Sequence, residues 1–438
     1  MNSYFVAALD LQEHSLKRAN KKIQLKYITA LSYIIEESIK KACGNQNRVE
    51  QYIAKRFDLY RNKVFSDAIA TNADEKYRIK CISMFSKPWR NKYRHMMICD
   101  MALILLDDKL ILQAIEIVKK QFPLKRQLEV EQIYSLLKNQ KGIEKKFLPT
   151  LSLINQYRAN MDFLYKEERR IIITANMSAG KSTLINALIG KPIVRTSQEV
   201  CTRDICYVFN KAYEDNNIHL LAKKLSLCAA ADNLYDNDRD GCISIASYFV
   251  GVVPDVPRLC IIDTPGVDAA LYEEHSHRTY KALLSDDYDT IIYVASPTRL
   301  GTDAEKKHLQ WVFQNLQGKK VIFVLNKLDD CHYPSDSIEE SVKNFKEDLL
   351  KIGFIEPVVC PISAYFSYLI KLRMTGQVLS EDEADEYALY TKKFMKPSYD
   401  LSCYYEGINS LPTDSEEIKL SKRAGLYGLE KTIYGGGL

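Results

Sequence analysis

The chain has 438 residues, 46% of them hydrophobic and 27% charged, with a formal net charge of +5, so it is long enough for two or three domains with sizeable cores. Its start, MNSYFVAALDLQEHSLKR, lacks the features of a secretory signal, and its most apolar run, MMICDMALILL (96–106), carries Asp100 and falls well short of the roughly 20 residues that span a bilayer. Export and membrane spanning are therefore not expected, and the 11 scattered cysteines, with no CxxC pair, fit a reducing cytoplasm.

Up to about residue 165 the pattern is helical. IQLKYITALSYIIEESIKKACG places Ile23, Tyr27, Leu31 and Ile34 on one stripe and Ile28, Ile35 and Ile39 on another, with Gly44 as the stop. A helix apolar on two sides belongs inside a bundle. DKLILQAIEIVKKQFP, closed by Pro123, EVEQIYSLLKNQKG and LSLINQYRANMDFLYKEE continue the series, and MMICDMALILL reads as a buried helix. Lys and Arg outnumber Asp and Glu in the first 170 residues, and the reverse holds afterwards. Such asymmetry suits an anionic lipid or nucleic-acid surface, though lysines on the wet faces of long helices account for it equally well.

From residue 170 short β-rich runs alternate with helical stretches: RIIITA, KSTLINALIG, RDICYVF, PRLCIIDTPG, TIIYVAS, KKVIFVLNKLDD and EPVVCPISA. This alternation predicts an α/β fold with a wound, mostly parallel sheet, preceded by an all-α region, with domains at 1–165 and 166–438. His275 and His277 in EEHSH lack further metal ligands and read as a solvated loop.

The chemistry gathers at the predicted strand ends, where ligands of such sheets sit. In ITANMSAGKSTLINALIG the turn formed by Asn176, Met177, Ser178, Ala179 and Gly180 is expected to aim N–H groups at phosphate. Lys181 then reaches the β- and γ-phosphates, Ser182 ligates Mg²⁺, and Thr183 continues the first helical turn. Asp263, ending LCIID, can hold Mg²⁺ through water, and Gly266 offers an N–H to a γ-phosphate. Asn326, Lys327 and Asp329 end a third strand, where a carboxylate accepts two hydrogen bonds from guanine that adenine cannot donate. Ser363 and Ala364 follow the fourth strand and are expected to direct a backbone N–H to guanine O6. Together these elements describe a GTP site of the P-loop type.

With these motifs, residues 170–438 resemble the GTPase domain of the dynamin superfamily, particularly bacterial dynamin-like proteins. SAGKSTLINALIG is similar to that family's first motif, VCTRDI to its second, and the tail from AYFSYLIKL to GLYGLEKTI to the stretch that closes these domains. The resemblance implies that Thr202 is the switch threonine that reaches Mg²⁺ and orients water. It also implies a K⁺ or Na⁺ ion near Ser178, GTP hydrolysis to GDP without an external arginine, and stimulation when two GTPase domains pair as a homodimer. The catalytic set it implies is Ser178, Lys181 and Thr202; the metal set is Ser182, Thr202 and Asp263. The stretch SPTRLGTDAEKKH, with Arg299, lies where such domains present a dimer-contacting loop.

Two departures bear on rate. Ala175 stands where the pattern begins with glycine, and Met177 where animal dynamins carry glutamine; a glycine-only backbone at 175 would cost alanine about 1 to 3 kcal/mol. The family's C-terminal stalk and membrane-inserting tip find no counterpart after GLEKTIYGGGL. The expectation is a cytoplasmic, dynamin-like GTPase, peripheral at a membrane or bound to a protein partner. A regulatory GTP switch on nucleic acid or ribosomes, or a GTP-dependent scaffold with little turnover, are the alternatives.

Overall fold

The computed structural model describes the chain except residues 1–2, 43–46, 66–72, 140–143, 177, 196–204, 231–233, 235–241, 254–255, 268–272, 286, 333–334, 412–414 and 436–438. It comprises two compact units. The first holds residues 1–166 with 211–219 and 224–229, and the second holds 167–210, 220–223 and 230–438.

The first unit is built of helices, the principal ones Lys21–Ala42, Asn47–Val64, Glu75–Met84, Asn91–Leu105, Asp108–Lys119, Leu124–Lys138 and Leu151–Tyr165. Both stripes of the first are used: Tyr27, Ile28, Leu31, Ile34 and Ile35 are all buried. The MMICDMALILL stretch lies in the Asn91–Leu105 helix, whose side chains from Arg94 to Leu105 are buried all round. It stops at Leu106, which takes a left-handed φ of 52°, and Asp107 then caps the next helix by accepting from the N–H groups of Lys109 and Leu110. Asp100 sits in this apolar setting because three groups answer it: the hydroxyls of Tyr27 and Tyr60 donate to it at 2.7 and 2.6 Å, and His14 Nε2 lies 3.1 Å away.

Residues 211–219 belong with these helices through polar contacts. Asp215 accepts from the Leu9 N–H and from Lys211, and His219 Nδ1 lies 2.6 Å from the Phe5 carbonyl. Burial alone would raise the Asp215 carboxyl, but Lys211, His219 and the Leu9 N–H outweigh it and hold it at about 2. Among the described residues no helix is long and apolar enough to cross a membrane.

The second unit is organised by a sheet whose strands run in the order β5-β2-β6-β1-β7-β8-β9. Numbered in chain order, the described strands are β1 Arg169–Ala175, β2 Cys206–Asn210, β3 His219–Leu221, β4 Leu225–Ser226, β5 Ile243–Ser247, β6 Leu259–Asp263, β7 Thr290–Ala295, β8 Lys320–Leu325 and β9 Val358–Pro361. From β6 through β1, β7 and β8 to β9 every pairing is parallel, and β2 meets β6 antiparallel. Central β1 is flanked on both sides, which is why Ile171, Ile172 and Ile173 are consecutive and all buried. The EEHSH stretch is not a loop: it starts the Glu273–Ser285 helix.

Candidate nucleotide site

The parallel core brings the carboxyl ends of β1, β6, β7, β8 and β9 to one edge. Residues Asn176–Gly180 connect β1 to the Lys181–Ile189 helix, and Gly180, at φ 87°, is that helix's N-cap. A Cβ on Gly180 would lie 2.4 Å from Asn326 Nδ2, so glycine is required here both by conformation and by close approach. Ala175 carries no such demand. It is the last residue of β1, paired with Val294, and its carbonyl accepts from the Val267 N–H at 3.1 Å. The left-handed conformation falls instead on Ser178, at φ 65°. The expected cost of alanine at 175 is thus not incurred, and the strained position of the turn is three residues later.

Lys181 begins the helix, and its ammonium lies on the Asp263 carboxylate at the end of β6. Both are buried, Asp263 completely. Ser182 and Thr183, half-buried in the first helical turn, stand at the same edge. Beyond Asp263, Thr264 donates to the Ile173 carbonyl and Val267 bridges to Asn176, so the segment carrying Gly266 runs beside the turn.

Asn326 is a strap. Its Nδ2 donates to the Ala179 carbonyl at 3.0 Å, and its Oδ1 accepts from the Ala364 N–H at 2.9 Å. Lys327 is left-handed, at φ 65°, and its aliphatic chain flanks Gly180. Asp329 accepts from the Ser363 hydroxyl at 2.6 Å; burial raises its carboxyl against the pull of that hydrogen bond. The Ser363 N–H donates to the Ala424 carbonyl, so the N–H groups of both Ser363 and Ala364 are engaged within the protein. These two residues brace Asn326 and Asp329.

Met177 and Thr202 lie outside the described residues. Arg299 is exposed in a short turn, Pro297–Arg299. Two groups that the sequence did not single out stand behind the turn: Glu305 and His308, on the Asp303–Asn315 helix, both buried and both bonded to Asn176. Their signal was a glutamate and a histidine three apart on the apolar side of a helix, legible only once that face was known to be covered.

A mostly parallel sheet that releases a glycine turn with Lys181, a buried aspartate and an Asn-Lys-x-Asp loop from its strand ends is the fold of a P-loop GTPase domain. Residues 171–328 match the model of the Dynamin family, and this segment is a dynamin-superfamily GTPase domain. A protein of Arabidopsis thaliana described as "Probable transmembrane GTPase FZO-like, chloroplastic" is 26% identical over 266 residues, covering 59% of this chain and 26% of its own length. The chain therefore spans about a quarter of that relative. A crystal structure of Era from Aquifex aeolicus is 18% identical and covers 49% of this chain and 58% of that one, with a TM-score of 0.28.

Proposed function

We propose that the second unit binds guanine nucleotide with Mg²⁺ and hydrolyses GTP to GDP and phosphate. In this reading pairing of two such domains accelerates turnover, and the nucleotide state is passed to a membrane or protein partner of a cytoplasmic, peripherally bound chain. The observation that carries the reading is the convergence of Lys181, Asp263 and Asn326 at the ends of β1, β6 and β8.

Lys181 answers the Asp263 charge and is placed to transfer its ammonium to the β- and γ-phosphates when nucleotide arrives. Ser182 and Asp263 form a hard oxygen donor pair suited to Mg²⁺, and a fully buried carboxylate at this point requires a cation beside it. When bound, the metal neutralises charge on the phosphate oxygens. Asp329, held by Ser363, is the carboxylate that would accept from guanine, and the first turn of the Lys181–Ile189 helix adds its dipole to the phosphate site. Thr202 as the water-orienting residue and K⁺ or Na⁺ near Ser178 are part of the proposal and rest on the family resemblance.

The test is GTP turnover by the full chain with Mg²⁺ across protein concentration and with K⁺ or Na⁺, with and without anionic liposomes. A rate per molecule that rises with concentration, and its loss by at least about 10²-fold in Lys181→Ala, is the expected result. Turnover that Lys181→Ala leaves intact would contradict the site, and a flat concentration dependence would remove the pairing step.

A further inference from the structure

The phosphate turn holds Ser178 in a conformation that its side chain does not favour. Ser178 is left-handed without being glycine, and such a conformation persists only where the surroundings over-determine it. One hold is Asn326 on the Ala179 carbonyl. The other comes from the opposite side, through Asn176. Its Nδ2 donates to Glu305 Oε2 at 2.6 Å, and its Oδ1 lies 3.2 Å from His308 Nδ1, whose Nε2 is in turn 3.3 Å from the Thr174 hydroxyl.

One proton arrangement satisfies the whole chain. Thr174 donates to His308 Nε2, His308 donates through Nδ1 to Asn176, and Asn176 donates to Glu305. That arrangement needs a neutral imidazole, and burial pushes His308 down to about 3. The ring is fixed by Tyr280 and Tyr293, with centroids at 5.9 and 5.0 Å. Burial raises the Glu305 carboxyl, opposed by Tyr293 and Asn176. Glu305 and His308 are 2% and 1% exposed, so neither meets solvent or ligand directly. A buried acid and a buried imidazole are costly on a helix that packs with apolar groups alone, and here both face one residue of the turn.

We propose that Glu305 and His308 are positioning residues for the phosphate turn: they clamp Asn176 and thereby hold the backbone between Asn176 and Gly180 in its nucleotide-receiving shape. The proposal rests on the GTP-binding reading of this site. The hydrogen bond of Glu305 to the turn is made by Asn176 alone, so the effect of losing it must pass through residue 176. Loss of a charge-assisted hydrogen bond of this kind lowers affinity by on the order of tenfold.

The experiment is a double-mutant cycle on binding of a fluorescent GTP analogue to the full chain with Mg²⁺, comparing parent, Asn176→Ala, Glu305→Ala and the pair. Glu305→Met is measured alongside, so that a cavity is not mistaken for a lost clamp, and Glu305→Gln as the conservative rescue. The expected result is about tenfold weaker binding in Glu305→Ala and Glu305→Met, recovery of most of it in Glu305→Gln, and little further loss when Glu305→Ala is added to Asn176→Ala. Losses that multiply in the pair, or unchanged affinity in folded Glu305→Met, would overturn the clamp while leaving the nucleotide site standing. A parent chain that binds no GTP analogue would overturn both.

Discussion

The two units bury polar groups to different ends. In the helical unit Asp100 is enclosed with Tyr27, Tyr60 and His14, and Arg56 donates to the carbonyls of Ala7 and Leu103. Each such network joins residues of the helical unit. In the α/β unit Lys181, Asp263, Asn326 and Asp329 stand instead at one edge of the sheet, beside the left-handed residues Ser178 and Lys327. Burial of polar groups is thus no mark of function by itself. What distinguishes the second unit is convergence on a common edge.

The contrast can be broken by substitution. Asp100→Ala leaves two buried hydroxyls and an imidazole without their acceptor and is expected to cost about 3 to 5 kcal/mol of stability, read from the denaturant midpoint. Nucleotide affinity of the folded fraction should not change; a change there would mean that the helical networks are not purely structural. Gly180→Ala is the reverse case. Its φ of 87° and a Cβ 2.4 Å from Asn326 Nδ2 predict about 1 to 3 kcal/mol of strain, with loss of nucleotide binding at the same time, measured by melting with and without GDP.

The effect of pH spans both units. Burial pushes His95 down to about 4, and His219 and His308 to about 3. Below the unfolded value near 6.5 the unfolded chain binds protons that the folded chain refuses. Stability is therefore present above that pH and is lost as pH falls from about 6.5 toward 4, by up to about 1.4 kcal/mol per pH unit for each histidine. Urea titrations at pH 7 and 5 give the slope; a flat profile would mean that these rings are not buried.

Much of the sheet could be read from the sequence because its strands are continuous apolar runs. RIIITA, LCIID, TIIYVA and KVIFVL became β1, β6, β7 and β8, and their polar last or following residues form the site. The short β3 and β4, of three and two residues, carry too little pattern to detect, and Ile243–Ser247 was passed over among polar neighbours. Ala175 drew attention because the motif names that position, yet strand pairing decides its backbone, and Ser178 carries the unusual φ. Glu305, His308 and the association of 211–219 with the helices depend on contacts between residues far apart in sequence, which periodicity does not encode.

The central claim is that the strand-end cluster is a guanine-nucleotide site, and calorimetric titration of the full chain with GDP and with ADP, both with Mg²⁺, tests it most directly. The account predicts GDP binding favoured over ADP by on the order of 10⁴-fold, with the preference collapsing in Asp329→Ala. Binding of ADP within tenfold of GDP, or a preference that survives Asp329→Ala, would contradict it.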